Sequence, residues 1–333
     1  MKRIKIYGFI LIFGVAFCFS QPVYATSFSI PPDLENELTS PRQNHYDYYL
    51  SNEPQSDIIP FSRAGNLIVI QATVNNVSGN FILDTGAPGL ILNITYFRQL
   101  KKGTSLAGEA GGVTGLVQMY DRAVVDSFGL GKFLYQKVQS DRVDLGHIEN
   151  SKGIRIFGLL GVALFKRFEM IIDYQSNQIF LHKMGKKEEK DTFHPNLDQK
   201  EMYNSIPLTI QDGKIMVEMK AGKNKLNFVL DTGAESNVLD SRLSKKVFQS
   251  VTLNRRVTLV GSGNKKMDAW YGLIENLSLG NTTFENTEVL ITSLESMALA
   301  YGRNIDGMLG NTLLAKQKIG INFCSNTLYI WKQ

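Results

Sequence analysis

The sequence predicts a mostly β protein made of two related units, and three observations predict it. The apolar runs are short, often alternate with polar residues, and stop at Gly, Asn and Asp turn signals. The second half of the chain repeats the landmarks of the first at a nearly constant offset. Length and composition agree: 333 residues allow about two domains, and 43% hydrophobic, 20% charged and 9 Pro exclude collagen, coiled coils and disordered tails.

Residues 1–25, MKRIKIYGFILIFGVAFCFSQPVYA, combine a basic start, a 14-residue apolar run from Ile6 to Phe19, and small residues at Val23 and Ala25. This is the layout of a signal peptide cut after Ala25, which implies a periplasmic or secreted protein. The alternative is an uncleaved membrane tether, although a crossing needs about 20 apolar residues. The bulky Phe17 before Cys18 does not suit lipoprotein processing. The net charge of +5 includes Lys2, Arg3 and Lys5; removing those three from 36 cations leaves 33 against 31 acids. So even a balance offers no basic face for nucleic acid. Removing 25 residues from 333 leaves 308, with Cys324 the single cysteine and no internal disulfide. Cys324 reads as a small buried hydrophobe. His45, His147, His182 and His194 show no metal-binding spacing, so no metal is expected.

Residues 26–56 have no counterpart in the second half; a processed pro-segment, a covering arm and an edge strand all remain open. The first unit is placed at 57–184, a charged linker at 185–201 and the second unit at 202–333. GNLIVIQATVNNVSGNFILDTGAP from Gly65 matches GKIMVEMKAGKNKLNFVLDTGAES from Gly213. VDSFGLGKFLYQKV matches IENLSLGNTTFENTEV, and GLLGVALFKRFEMIIDYQSNQIFLHK from Gly158 matches GMLGNTLLAKQKIGINFCSNTLYIWK from Gly307. Short helices are expected around 94–101, 162–168, 236–247 and 311–316, where alternation breaks down.

Each half places an aspartate after an apolar triplet, Asp84 after Phe81-Ile82-Leu83 and Asp231 after Phe228-Val229-Leu230. Gly86 and Gly233 then allow a tight turn with close backbone approach. If the units face each other about a pseudo-twofold axis, the two carboxyls meet and share one proton over an intermediate pH range. One acts as general base on a water while the other polarises a carbonyl. Two acids are needed, and the repeat supplies two.

With Asp84-Thr85-Gly86-Ala87 and Asp231-Thr232-Gly233-Ala234, followed by Leu159-Leu160-Gly161 and Met308-Leu309-Gly310, the chain resembles the retropepsin-like/pepsin-like aspartic proteases over about residues 60–333. It looks like a single-chain, two-lobe, bacterial-type member. The resemblance implies an all-β, bilobal acid-protease fold with two β-barrel-like lobes and few short helices. It further implies an endopeptidase that holds an extended polypeptide in the interlobe cleft and uses no cofactor. Thr85 and Thr232 would link the catalytic loops across the lobes, with the apolar-apolar-Gly elements packed behind them in a psi-shaped crossing. Gly111, Gly112 and Gly115 in one lobe, and Gly261 and Gly263 in the other, are candidate flap residues; Tyr120 and Tyr271 are nearby aromatics.

Both motifs continue with Ala where pepsins have Ser or Thr, which favours the neutral acid and makes a mildly acidic to neutral working range conceivable. Pro88 and Glu235 break the symmetry, Glu235 reading as a solvent-facing turn residue. The rival function is a non-catalytic peptide-binding or scaffold protein that keeps the cleft. A rival assembly pairs each unit with one from another chain, although covalent linkage and unequal lobes favour a monomer with intramolecular pairing.

Overall fold

The first half contains a hairpin whose turn is written in the sequence. In a computed structural model of the chain, Leu67–Val74 (β1) and Val77–Leu83 (β2) pair antiparallel with Val74 opposite Val77. The two turn residues, Asn75 and Asn76, take φ of 46° and 68°. That is the left-handed pair a tight hairpin requires, and asparagine tolerates it better than most residues. The structure describes residues 16–17, 48–50, 54–101, 109–112, 115–118, 121–185, 197–211, 213–260 and 266–332. Most of the expected signal peptide and N-terminal extension, residues 186–196 of the expected linker, and the candidate flap residues Gly261 and Gly263 lie outside the described residues.

Four more strands complete lobe 1: Leu90–Asn93 (β3), Asp121–Leu130 (β4), Phe133–Val143 (β5) and Gly158–Leu160 (β6). β2 pairs parallel with β6, β6 antiparallel with β3, and β3 parallel with β5. β5 then pairs antiparallel with β4, and β4 returns to β1. Lobe 2 has the same path through Lys214–Ala221 (β7), Asn224–Leu230 (β8), Val238–Asp240 (β9), Lys266–Leu279 (β10), Thr282–Thr292 (β11) and Gly307–Leu309 (β12). Each pairing recurs with the same direction, from β7 with β8 round to β10 with β7. β3, β6, β9 and β12 are buried along their whole length, as strands covered on both faces must be.

The protein is thus a bilobal, all-β molecule with few short helices, but the lobes are not equivalent as barrels. Lobe 2 keeps its ring in a separate eight-stranded sheet, a clear six-stranded barrel. The ring of lobe 1 is merged into a thirteen-stranded sheet and is not a free-standing barrel. The difference arises in the strand Ser56–Ala64, which runs unbroken from β1 to Gln178–Lys183. The corresponding path in lobe 2 is interrupted at Leu208, between Tyr203–Pro207 and Thr209–Gln211.

Six strands join the lobes. At their centre Phe168–Asp173 of lobe 1 pairs antiparallel with Ile319–Asn322 of lobe 2, Ile171 lying opposite Gly320. Gln178–Lys183 and Ser56–Ala64 extend the sheet on one side, Thr327–Trp331 and Tyr203–Pro207 on the other. Cys324 sits half-buried in the turn of this sheet rather than in the core.

The helices correct the sequence expectation in part. Residues 94–101 form turns, 162–165 a short 3-10 helix, and Asn311–Leu314 an α-helix. The expected helix over 236–247 is instead β9 followed by a helix at Lys245–Phe248. Two equivalent helices were not anticipated, Gly146–Lys152 and Glu295–Tyr301, each ending at a left-handed glycine, Gly153 or Gly302. No helix among the described residues is long and apolar enough to cross a membrane.

Candidate active site

Asp84 and Asp231 stand at the ends of β2 and β8, where each chain leaves a parallel pair. The N–H of Asp84 donates to Leu160 O at 3.0 Å, and that of Asp231 to Leu309 O at 2.9 Å. Behind the loops the space is too small for a side chain. A Cβ at Gly161 would lie 2.5 Å from Ala87 O, and one at Gly310 2.5 Å from Ser236 O. The apolar-apolar-Gly elements therefore cross directly behind the aspartate loops.

Each loop holds the inner oxygen of its own carboxylate. Asp84 Oδ1 accepts the N–H groups of Gly86 and Ala87 at 2.8 and 3.0 Å, and Asp231 Oδ1 that of Gly233 at 2.8 Å. The carboxyls are 1% and 0% exposed and face each other. Their outer oxygens receive no donor from elsewhere in the described protein. The motif glycines are required by the opposite lobe as much as by the turn. A Cβ at Gly86 would sit 2.5 Å from Asp231 Oδ2, and one at Gly233 would overlap the carboxyl of Asp84.

The threonines bind reciprocally across the interface. Thr85 Oγ1 donates to Leu230 O at 2.8 Å and accepts the Thr232 N–H at 3.0 Å. Thr232 Oγ1 donates to Leu83 O at 2.8 Å and accepts the Thr85 N–H at 3.0 Å. Four buried backbone groups are thereby satisfied by two hydroxyls.

Burial disfavours the charged carboxylate and pushes Asp84 up to about 6, against the hydrogen bonds of Asp231, Gly86 and Ala87 and the charge of Lys214. Asp231 is pushed up as well, by burial and then by the negative charge of Asp84, with Gly233 N–H and Lys214 opposing. Such a pair holds one proton between its members over an intermediate pH range, and the protons leave as properties of the pair. It can accept a proton from a water on one side and donate one to a substrate atom on the other. Among the described residues no group of three or more His, Cys, Asp or Glu is placed to hold a metal ion.

Several site residues escaped the sequence reading. Asn311 bridges the site from behind, donating to Thr232 O at 2.6 Å and accepting the Tyr174 hydroxyl at 3.0 Å. Glu235 is not a solvent-facing turn residue. It crosses to lobe 1, where it pairs with Lys152 and accepts the Asn66 N–H at 3.1 Å. The side chains of Lys152 and Glu235 are only 9% and 12% exposed. Lys214 is buried, its ammonium 5.2 Å from the ring centroid of Tyr301. Tyr301 is raised in pKa by burial and by both aspartates. The signal for Lys214 was present in the sequence: a lysine opens the apolar strand of GKIMV.

Gly111, Gly112 and Gly115 lie on a hairpin of Glu109–Gly112 and Gly115–Gln118, with Gly112 opposite Gly115. Its outer edge pairs antiparallel with a third strand, Ala16–Phe17, and the helix Glu295–Tyr301 of lobe 2 packs against both. In lobe 2 the hairpin of Val251–Val260 and β10 closes with Val260 opposite Lys266, and its tip is outside the described residues.

Two β lobes that each present an aspartate on a glycine-backed loop define a protein of the aspartic-protease class. The aspartyl protease family model matches the chain twice, over residues 70–164 and 215–313, and the chain belongs to that family. Comparison with curated proteins returns no match.

Proposed function

We propose that the chain is an aspartic endopeptidase in which Asp84 and Asp231 activate water for attack on a peptide bond. One observation carries this reading. Two equivalent loops bring the carboxyls face to face, buried, with their inner oxygens held by backbone N–H groups and their outer oxygens left without a donor from other described residues. Burial raises both carboxyls, and the pair shares one proton, so the ionised member is the general base and the protonated member the general acid. A water placed between them loses its proton to the ionised carboxylate as its oxygen bonds to the carbonyl carbon. The protonated partner gives its proton to the carbonyl oxygen, giving a neutral tetrahedral gem-diol. Transfer of a proton to the amide nitrogen then accompanies C–N cleavage, releasing an acid and an amine.

In this reading Thr85, Gly86, Thr232 and Gly233 support the loops, and Leu159-Leu160-Gly161 and Met308-Leu309-Gly310 hold them from behind. The hairpin with Gly111, Gly112 and Gly115 is a flap, and the tip with Gly261 and Gly263 a second one. The pairing of Ala16–Phe17 along the first hairpin supports binding of an extended polypeptide there through main-chain bonds. Lobe pairing within one chain supports a monomeric enzyme, and the leader layout of residues 1–25 supports export.

The test is cleavage of a diverse peptide mixture across pH by the wild-type chain, Asp84→Asn and Asp231→Asn. Turnover by the wild type and a loss of about 10³-fold in each variant is the expected result. Unaltered cleavage by Asp84→Asn would remove the mechanism. Peptide binding with no turnover in the wild type would favour the non-catalytic binding protein instead.

A further inference from the structure

The two halves of the site differ in charge at one matched position. In lobe 1 Val69 stands opposite Ile82, and in lobe 2 Met216 stands opposite Val229. Ladder matching therefore places Lys214 where lobe 1 has Leu67, although alignment on the preceding glycines would match it to Asn66. Leu67 is buried among Leu145, Ile148 and Ile156. Lys214 is almost as buried, at 5% exposure. The equivalent helix ends also differ: Lys152 in lobe 1 is neutralised by Glu235, and lobe 2 has Tyr301 there.

The turn that carries Lys214 lies against the loop of the opposite aspartate. Gly213 has φ +71°, and a Cβ on it would be 2.8 Å from Pro88 Cα, four residues beyond Asp84. The ring of Tyr301 lies 5.2 Å from the ammonium, a cation–π distance that fixes its place. Tyr301 also feels both aspartates, and Lys214 opposes the burial of both. Among the described residues, the groups whose charge or ring is felt at the pair are Lys214 from the start of β7 and Tyr301 from its helix. Asn311 and Tyr174 stand behind as neutral partners, and Glu235 is engaged with Lys152.

We propose that Lys214 is a positioning residue for the aspartate pair: its buried ammonium, braced on Tyr301, holds the pair in the singly ionised form and so sets the pH range of turnover. The proposal rests on the aspartic-endopeptidase reading for its link to rate, but not for its electrostatics. A cation near two carboxylates favours a pair carrying one negative charge over the fully protonated pair. Removing the cation makes ionisation of both carboxyls harder, so both limbs of the pH profile move upward.

Lys214→Leu is the direct test, since leucine is the residue that lobe 1 accommodates at this position; Lys214→Met is a second variant should leucine fold poorly. Two readouts are taken. Carboxyl ¹³C shifts of the aspartates, assigned with Asp84→Asn and Asp231→Asn, follow the titration without any need for turnover. The pH dependence of kcat/KM follows its consequence. The proposal expects both titration steps and both limbs to rise by about one pH unit or more, with Lys214→Arg restoring most of the shift. Identical titrations in wild type, Lys214→Leu and Lys214→Met would overturn it, as would a rise that Lys214→Arg leaves uncorrected. A wild-type chain with no turnover would sink the endopeptidase reading alone, because the carboxyl shifts still decide the role of Lys214.

Discussion

Replacing Thr85 with valine tests whether the two lobes meet at their aspartate loops. Valine keeps the branched shape of threonine and removes only the hydroxyl, so packing changes little. The lost group served two partners, Leu230 O at 2.8 Å and the Thr232 N–H at 3.0 Å, both in the buried interface. An orphaned buried donor or acceptor costs about 1–3 kcal/mol, so the pair predicts about 2–6 kcal/mol. Against a usual total of about 5–15 kcal/mol this is a severe loss. Urea unfolding followed by the fluorescence of Trp270 and Trp331 measures it, with Thr85→Ser as the control that keeps the hydroxyl. Thr232→Val orphans a different pair, Leu83 O and the Thr85 N–H, and should cost a similar amount. The double variant should cost less than the sum, because the first change already loosens the ground the second acts on. A cost for Thr85→Val below about 0.5 kcal/mol, the size of an ordinary surface substitution, would refute the reasoning, since the hydroxyl would then lie in water.

Two further outcomes follow from the buried charges. The fold raises Asp84 from 3.8 to about 6 and raises Asp231 as well, so it favours protonated carboxyls; this contribution is full below about pH 4 and is lost as pH rises through 6. Asp84→Asn should therefore match the wild type in stability near pH 3.5 and exceed it at pH 7, by up to about 3 kcal/mol, in paired thermal melts. Equal stability at both pH values would contradict the burial of the pair. Glu235→Gln leaves the buried Lys152 ammonium uncompensated and should destabilise the protein by about 3 kcal/mol in denaturant. Adding Lys152→Met should recover most of that loss, and failure to recover would show that the pair is not the source.

What could be read from the sequence was whatever the repeat expresses locally. An aspartate after an apolar triplet, with an apolar-apolar-Gly element about 75 residues later, corresponds to β2 with β6 and β8 with β12, because parallel strands buried on both faces need unbroken apolar runs. The paired aspartates follow from that repeat, and the reciprocal threonines from the family resemblance that the repeat carries. What could not be read depends on contacts between lobes. Glu235 looks like an exposed turn residue in isolation, and only the approach of Lys152 and Asn66 makes it a bridge. Lys214 sits one place out of register when the glycines are aligned, because Gly65 lies two places before the start of β1 and Gly213 only one place before the start of β7. The helices Gly146–Lys152 and Glu295–Tyr301 were missed because seven residues give too few turns for a helical period to stand out.

Besides the chain connection, the lobes are held by the antiparallel pairing of Phe168–Asp173 with Ile319–Asn322 and by the four threonine bonds. Neither of these passes through residues 186–196. A single nick in that stretch would therefore yield two fragments under denaturing conditions and one particle in native gel filtration. The nicked particle would retain both aspartates at their original spacing, much as two separately encoded halves would if each brought its share of the central sheet.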